Sequence, residues 1–200
     1  MGIINKISNL LIQFVKNNVD KTDEEIEKIK YGIQVIIMNI FKMFILFITA
    51  YFLRILIYTL IAFIAFGILR SFASGVHADS SMKCILLNYM VFLGNVYFSL
   101  SFSLNRVLIT ILFLISLILI INYAPADTAE RPLISKELRK ELKIKAIITL
   151  FIFGILSLLL SNSIYGKVIT YSTFEEAFFI TPLCYKIFGK PYRNYENIKL

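Results

Sequence analysis

The chain has 200 residues, is 58% hydrophobic and 14% aromatic, is charged at only 17% of its positions, and has a mean hydropathy of +0.76. A soluble chain is about half apolar and a quarter charged; here Ile, Leu and Phe gather in long runs, which excludes a soluble globule and marks an all-α, multi-span membrane protein. Two cysteines a hundred residues apart make no disulfide scaffold, a single histidine without HExxH or CxxC argues against zinc hydrolysis, and the net charge of +8 points to loops held on the cytoplasmic side before it points to nucleic acid.

At the start, Ile3, Ile7, Leu10, Leu11 and Phe14 recur at helical spacing, with Asn5, Lys6, Asn9, Gln13 and Lys16 opposite. Residues 1–18 therefore read as an amphipathic helix on the cytoplasmic leaflet. The segment lacks an apolar h-region and a small-residue cleavage site, so it is expected to stay on the mature protein. Asp20 to Lys30 reads as a capped, charged lead-in, with Thr22 as N-cap and Glu25 three residues later.

A membrane-crossing helix needs about twenty apolar residues. The apolar stretch Tyr31 to Leu69 is too long for one span and is interrupted by Lys42 and Arg54, so it predicts two helices turning near Arg54. Met82 to Ser101, Val107 to Tyr123 and Ala146 to Ile164 each predict one span, with the basic segment Arg131 to Lys145 as a loop. A sixth, Val168 to Phe188, carries Glu175, Glu176 and Pro182 and is expected to be shielded by other helices or tilted at the interface. Six spans with both ends inside put 17 of the 21 basic residues on one face, leaving Arg54, Arg106 and Lys167 opposite and Lys42 within the first span. One membrane domain over 1–200, with its bundle over 31–189, is the expected organisation.

The segment Arg70-Ser-Phe-Ala-Ser-Gly-Val-His-Ala-Asp-Ser-Ser-Met-Lys-Cys84 is the most polar gap in this apolar half. Taken singly, His77 reads as an interfacial residue and Cys84 as a small hydrophobe at a helix mouth. Together they supply what a thiol nucleophile needs, a base within reach and a field that favours thiolate. Ser80 or Ser81 can cap the next span and so place Cys84 in its first turn, near the positive helix end. His77 lies seven residues earlier, close enough to share a helical face or to meet Cys84 across a loop. Gly75 lets the backbone bend or approach a substrate closely, and Arg70 reads either as an interfacial anchor or as a hold on a substrate carboxylate or carbonyl. Asp127, Asp79 and Asn88 are candidates to orient His77, and each also has a structural reading. Cys184 reads as packing.

Arg70, Gly75, His77, Ala78 and Cys84 at this spacing, followed by the loop Tyr123-Ala-Pro-Ala-Asp-Thr-Ala-Glu-Arg-Pro132, resemble the accessory gene regulator B (AgrB) family of membrane cysteine endopeptidases. The likeness extends over nearly the whole chain, in length, span order and basic loop, although the glycine patch is thinner, with Ser74 beside Gly75. It implies that Cys84 is nucleophile and His77 general base and acid. An AgrD-like propeptide would be cut on its C-terminal side through an acyl-enzyme thioester, and then closed into a thiolactone or lactone ring. It also implies a homodimer in the bacterial cell membrane and no cofactor. Lys136, Arg139, Lys140 and Lys143 read first as topology and anionic-lipid contacts; the resemblance adds that they can collect the acidic tail of the peptide. Two readings compete: a peptide exporter without chemistry, supported by Lys42, Glu175 and Glu176, and a non-catalytic scaffold or sensor partner.

Overall fold

A computed structural model describes Gln13 and residues 22–77, 80–129 and 131–197; all of the expected amphipathic helix over 1–18 except Gln13 lies outside them. The described residues form helices and connecting turns only, in two compact units that divide between Thr49 and Ala50.

The first unit is built on α1 (Asp23–Phe52). Its start is a capping box: the Glu25 N–H donates to Thr22 Oγ1 at 3.3 Å, and Glu25 Oε2 accepts the Thr22 N–H at 3.1 Å. Thirty residues span about 45 Å, more than the roughly 30 Å of hydrocarbon, so the charged first turns, with the Lys28–Glu24 pair at 2.7 Å, need not enter it.

In the second unit, the turn expected near Arg54 is a Schellman motif. Arg54 takes the left-handed conformation at φ 58°, its N–H donates to the Tyr51 carbonyl at 3.0 Å, and the Ile55 N–H donates to the Ala50 carbonyl at 2.9 Å. Beyond it follow α2 (Leu56–Ala73), α3 (Ser81–Asn88), a π-helical stretch Tyr89–Gly94, α4 (Asn95–Ser101), α5 (Arg106–Tyr123), α6 (Lys136–Leu159), α7 (Ile164–Phe179), α8 (Pro182–Ile187) and a 3₁₀ turn Asn194–Asn197. Among the described residues, five helices are long and apolar enough to cross a membrane: α1, α2, the continuous run Met82–Ser101, α5 and α6. Their outward faces carry Ile64, Ile118, Ile121, Ile148 and Leu159, which water would not tolerate as a continuous surface but lipid accepts.

The expected sixth span is two helices. Thr181 caps α8 by accepting the Cys184 N–H at 3.3 Å, and Pro182 occupies the first helical position, where its missing N–H costs nothing, so the chain breaks after α7. The 16-residue α7 is the centre of the bundle, packed by α2, α4, α5 and α6. Being enclosed, it tolerates Thr170, Ser172 and Thr173, whose hydroxyls return to carbonyls one turn back, and Glu175, which accepts from Asn95 Nδ2 at 3.1 Å. This is the shielding expected of it.

Helix α6 starts earlier than the apolar pattern suggests. Ser135 caps it by accepting the Leu138 N–H at 3.2 Å, and Glu141–Lys145 pair one turn apart at 2.5 Å, so of the basic segment 131–145 only 131–135 is loop. It ends at Leu159, five residues before the expected Ile164, because the α6–α7 turn is tight around Gly166. The C-terminal ends of α2, α5 and α7 and the N-terminal end of α6 gather at one end of the bundle, where residue 74 pairs with residue 126 and Gly75 abuts the Phe179 carbonyl. At the other end, Arg106 Nε donates to Ser161 Oγ at 3.1 Å.

A Cβ on Gly166 would stand 2.4 Å from the Leu160 carbonyl oxygen and 2.8 Å from that of Ser157. Gly166→Ala is therefore expected to destabilise the bundle by about 1–3 kcal/mol, seen as a lower thermal midpoint in detergent; an unchanged midpoint would contradict this packing.

Candidate active site

The site begins where α2 stops. Ser74 at φ 61° and Gly75 at φ 125° turn the chain out of the helix. There the Gly75 N–H donates to the Ala126 carbonyl at 3.1 Å, and the Ala126 N–H donates to the Ala73 carbonyl at 2.9 Å. This single parallel bridge sews the His77 segment to the proline loop, its two residues 52 apart in sequence, and the loop presents Ala126 from a cis Ala124–Pro125 bond.

Arg70, in the last turn of α2, fixes the shape of this turn. One guanidinium nitrogen donates to Glu176 Oε2 at 2.9 Å, and the other donates to the carbonyls of Val76 and Gly75. The rings of Phe66 and Phe179 flank it, 5.5 and 5.8 Å from ring centre to guanidinium carbon. Glu176 is fully buried in α7, so its charge is supportable only because the guanidinium meets it there. The carbonyls that Arg70 holds are thus those of its own chain. A Cβ on Gly75 would come within 3.3 Å of both the Arg70 guanidinium and the Phe179 carbonyl, and φ 125° is a conformation in which other residues are strained.

His77 is exposed and borders a cavity of about 330 Å³, with Gly67, Ser74 and Gly75 on one side and Ala126, Thr128 and Arg131 on the other. Cys84 does not line it. The cysteine is the fourth residue of α3, half-buried, its N–H donating to the Ser80 carbonyl at 2.9 Å while Ser80 Oγ accepts the Lys83 N–H at 3.2 Å. The expected cap and the expected first-turn placement are both present, and the amides of Ser81 and Met82 begin the helix without an intrahelical partner, as every helix start requires. Ala78 and Asp79, which lie between the two residues, are outside the described residues, and with them the Asp79 reading. Asn88 closes α3 one turn beyond Cys84, half-buried.

Asp127 lines the His77 cavity, but its carboxylate is occupied. Oδ1 accepts the Asn194 N–H at 2.9 Å, and Oδ2 accepts those of Tyr195 at 2.7 Å and Leu133 at 3.4 Å, while Tyr185 Oη donates to its carbonyl at 2.7 Å. Asp127 therefore ties the proline loop to the start of α6 and to the C-terminal segment. A second cavity, of about 290 Å³, opens on the other side of this residue and shares Ala126 and Asp127 with the first. It is lined by Arg139, Lys140 and Lys143 of α6, but not by Lys136, and by Tyr192, Arg193 and Tyr195. Cys184 is buried beside the Thr181 cap, as packing requires.

Sequence reasoning missed Glu176 as the partner of Arg70 and missed the C-terminal residues altogether. The first had a signal: a charge within an apolar segment needs an opposite one, and Arg70 and Glu176 were both in view. The second had only a cluster of aromatic and polar residues, Tyr192 to Asn197, which by itself names no partner.

Comparison with known proteins identifies the family. The profile of the family Accessory gene regulator B (AgrB) matches residues 5–180. An AgrB-like protein of Clostridium acetobutylicum is 30% identical over 194 residues, 97% of this chain and 93% of the relative. An AgrB-like protein of Listeria monocytogenes is 32% identical over 178 residues, 88% of this chain and 87% of the relative. Accessory gene regulator protein B of Staphylococcus intermedius is 31% identical over 159 residues, 80% and 84% of the two chains. No solved structure matches the chain. Matched over most of its length and built on long apolar helices, the chain belongs to the AgrB family of multi-pass membrane proteins, which act in accessory gene regulator quorum-sensing peptide processing.

Proposed function

We propose that the protein is a membrane cysteine endopeptidase that cleaves an AgrD-like propeptide and closes its core into a ring, with Cys84 as nucleophile and His77 as general base and acid. The observation that carries the reading is the backbone bridge between residues 74 and 126. It holds the His77 segment against the proline loop, on the same stretch of chain that leads into the capped helix of Cys84.

The chemistry follows from the residue types. His77 accepts the thiol proton as Cys84 Sγ attacks the scissile carbonyl. The peptide C–N bond breaks and the C-terminal fragment leaves as an amine, taking the proton from the imidazolium. The N-terminal part remains as a thioester on Cys84. A thiol or hydroxyl within that part then attacks the thioester carbonyl, its proton passes to His77 and on to the departing Cys84 thiolate, and the ring is released. The thioester keeps the acyl group activated, so closure to a thiolactone exchanges one thioester for another of similar free energy provided water is kept from competing. A site at the membrane boundary, beside an apolar bundle, supports that exclusion.

The basic residues of the same end, Lys136, Arg139, Lys140 and Lys143 among them, support a cytoplasmic location for the site and a role in drawing in an acidic peptide tail. The family resemblance supports a homodimer. Two of the three charges behind the exporter reading have structural partners in the packed bundle, Glu176 in Arg70 and Glu175 in Asn95, which favours the peptidase reading.

Cys84→Ala and His77→Ala are each expected to abolish cleavage of a co-expressed propeptide, read by mass spectrometry, while membrane levels of the protein stay within about twofold of the unsubstituted chain. Cleavage by Cys84→Ala would sink the proposal. Gly75→Ala, which pushes a methyl group toward Arg70 and strains the turn before His77, is expected to lower kcat by roughly tenfold or more. An unaltered kcat would separate the turn from the chemistry.

A further inference from the structure

The apolar run Met82–Ser101 is not one regular helix: between α3 and α4 its backbone is π-helical over Tyr89–Gly94. A π stretch carries an extra residue in a widened turn and recurs at functional sites. Its two flanks are held very differently. On the far side the chain is locked into the bundle: Val91, Phe92 and Leu93 are buried, and Phe92 lies 5.4 Å from the ring centres of both Phe63 and Phe66 in α2. Asn95 then ties α4 to α7, its Nδ2 donating to Ser172 Oγ at 3.0 Å and to Glu175 Oε2 at 3.1 Å. On the near side, α3 has no buried side chain among the described residues; Met82, Lys83 and Leu86 are exposed, Cys84 is half-buried, and the main contacts of the helix are with the π stretch itself. No described residue of α3 lines the His77 cavity.

We propose that the π stretch Tyr89–Gly94 is the hinge on which α3 turns to bring Cys84 onto the His77 cavity, with Phe92 and Asn95 as its fixed side. This rests on the reading of Cys84 and His77 as nucleophile and base, which have to meet. One residue of an α-helix is a turn of about 100° and an advance of about 1.5 Å. When the extra residue passes from the widened turn into regular helix, α3 rotates by about that angle as a unit. A side chain on its surface then sweeps several ångströms while α4 stays in place. No buried side chain of α3 has to leave its place for this turn. Turning α4 instead would break the bonds of Asn95 and pull Phe92 off Phe63 and Phe66, so the motion falls to the half that carries the thiol.

The test uses the full chain in phosphatidylcholine nanodiscs with Thr128→Cys, at a position of the proline loop that lines the His77 cavity, and without propeptide. Oxidation by copper phenanthroline is expected to link Cys84 to the introduced thiol, mapped by mass spectrometry of the digest. Deletion of Met90, an exposed residue of the stretch, removes the extra residue and leaves α3 facing as it does in the structure. It is expected to slow the linking by roughly tenfold, and to lower propeptide cleavage by the chain without Thr128→Cys by a similar factor. A second measurement needs no deletion and decides on its own where the shortened chain does not fold. Amide exchange across Tyr89–Gly94 is expected to change by about threefold or more when the link closes, with residues 96–101 unaffected. No link in the undeleted chain overturns the proposal. So does a link that forms as fast in the folded Met90-deleted chain, or one that closes with the exchange of the stretch unchanged. Cleavage that persists in Cys84→Ala overturns the peptidase reading without touching the linking result, and linking that ignores the π stretch leaves that reading standing.

Discussion

Glu176 has no exposed surface, and its carboxylate is met inside the bundle by the guanidinium of Arg70 at 2.9 Å. Its second oxygen has no hydrogen-bond partner among the described residues, which makes the arginine more important to it. Removing one member of such a buried pair strands a charge, at about 3–5 kcal/mol. The bond joins the last turn of α2 to the central helix α7, and the same guanidinium reaches back to the carbonyls of Gly75 and Val76. Core packing and the conformation of the segment before His77 therefore depend on a single side chain. A substitution at Glu176, deep in the bundle, should be felt at the site through Arg70.

From that anchor the site is assembled by two backbone hydrogen bonds and by one carboxylate that gathers backbone amides. Ala126 pairs with Ala73 and Gly75, and Asp127 gathers the amides of Leu133, Asn194 and Tyr195. His77 stands exposed at this junction, Arg139 lies over the Tyr195 ring and Arg193 pairs with Glu196. The result is two adjoining cavities with distinct chemistry, one bordered by the imidazole and one by cations, separated by two residues of the proline loop.

Much of this was legible in the sequence because membranes make strong patterns. The two-helix reading of Tyr31 to Leu69 was legible because a mid-membrane arginine is costly, and the turn does fall at Arg54. The caps at Thr22 and Ser80 were legible because a side-chain oxygen before an apolar run has one local use. The break at Thr181–Pro182 and the early start of α6 were harder, since an apolar count averages over a cap and a salt-bridged turn that decide the helix ends. Asp127 was singled out for the right location, yet its three amide donors come from segments up to 68 residues away, a pairing that no local pattern encodes. His77 and Cys84 were chosen for their chemistry, as the sole histidine and a thiol at a helix entrance.

If Cys84 carries the substrate as a thioester, intact-mass spectrometry of the purified chain, quenched in acid after mixing with its propeptide, will show an adduct equal to the N-terminal peptide fragment, mapped to Cys84, released by hydroxylamine, and missing from Cys84→Ala. Propeptide cleavage and ring formation with no adduct at Cys84 on any accessible timescale, and with undiminished turnover in Cys84→Ala, would contradict it.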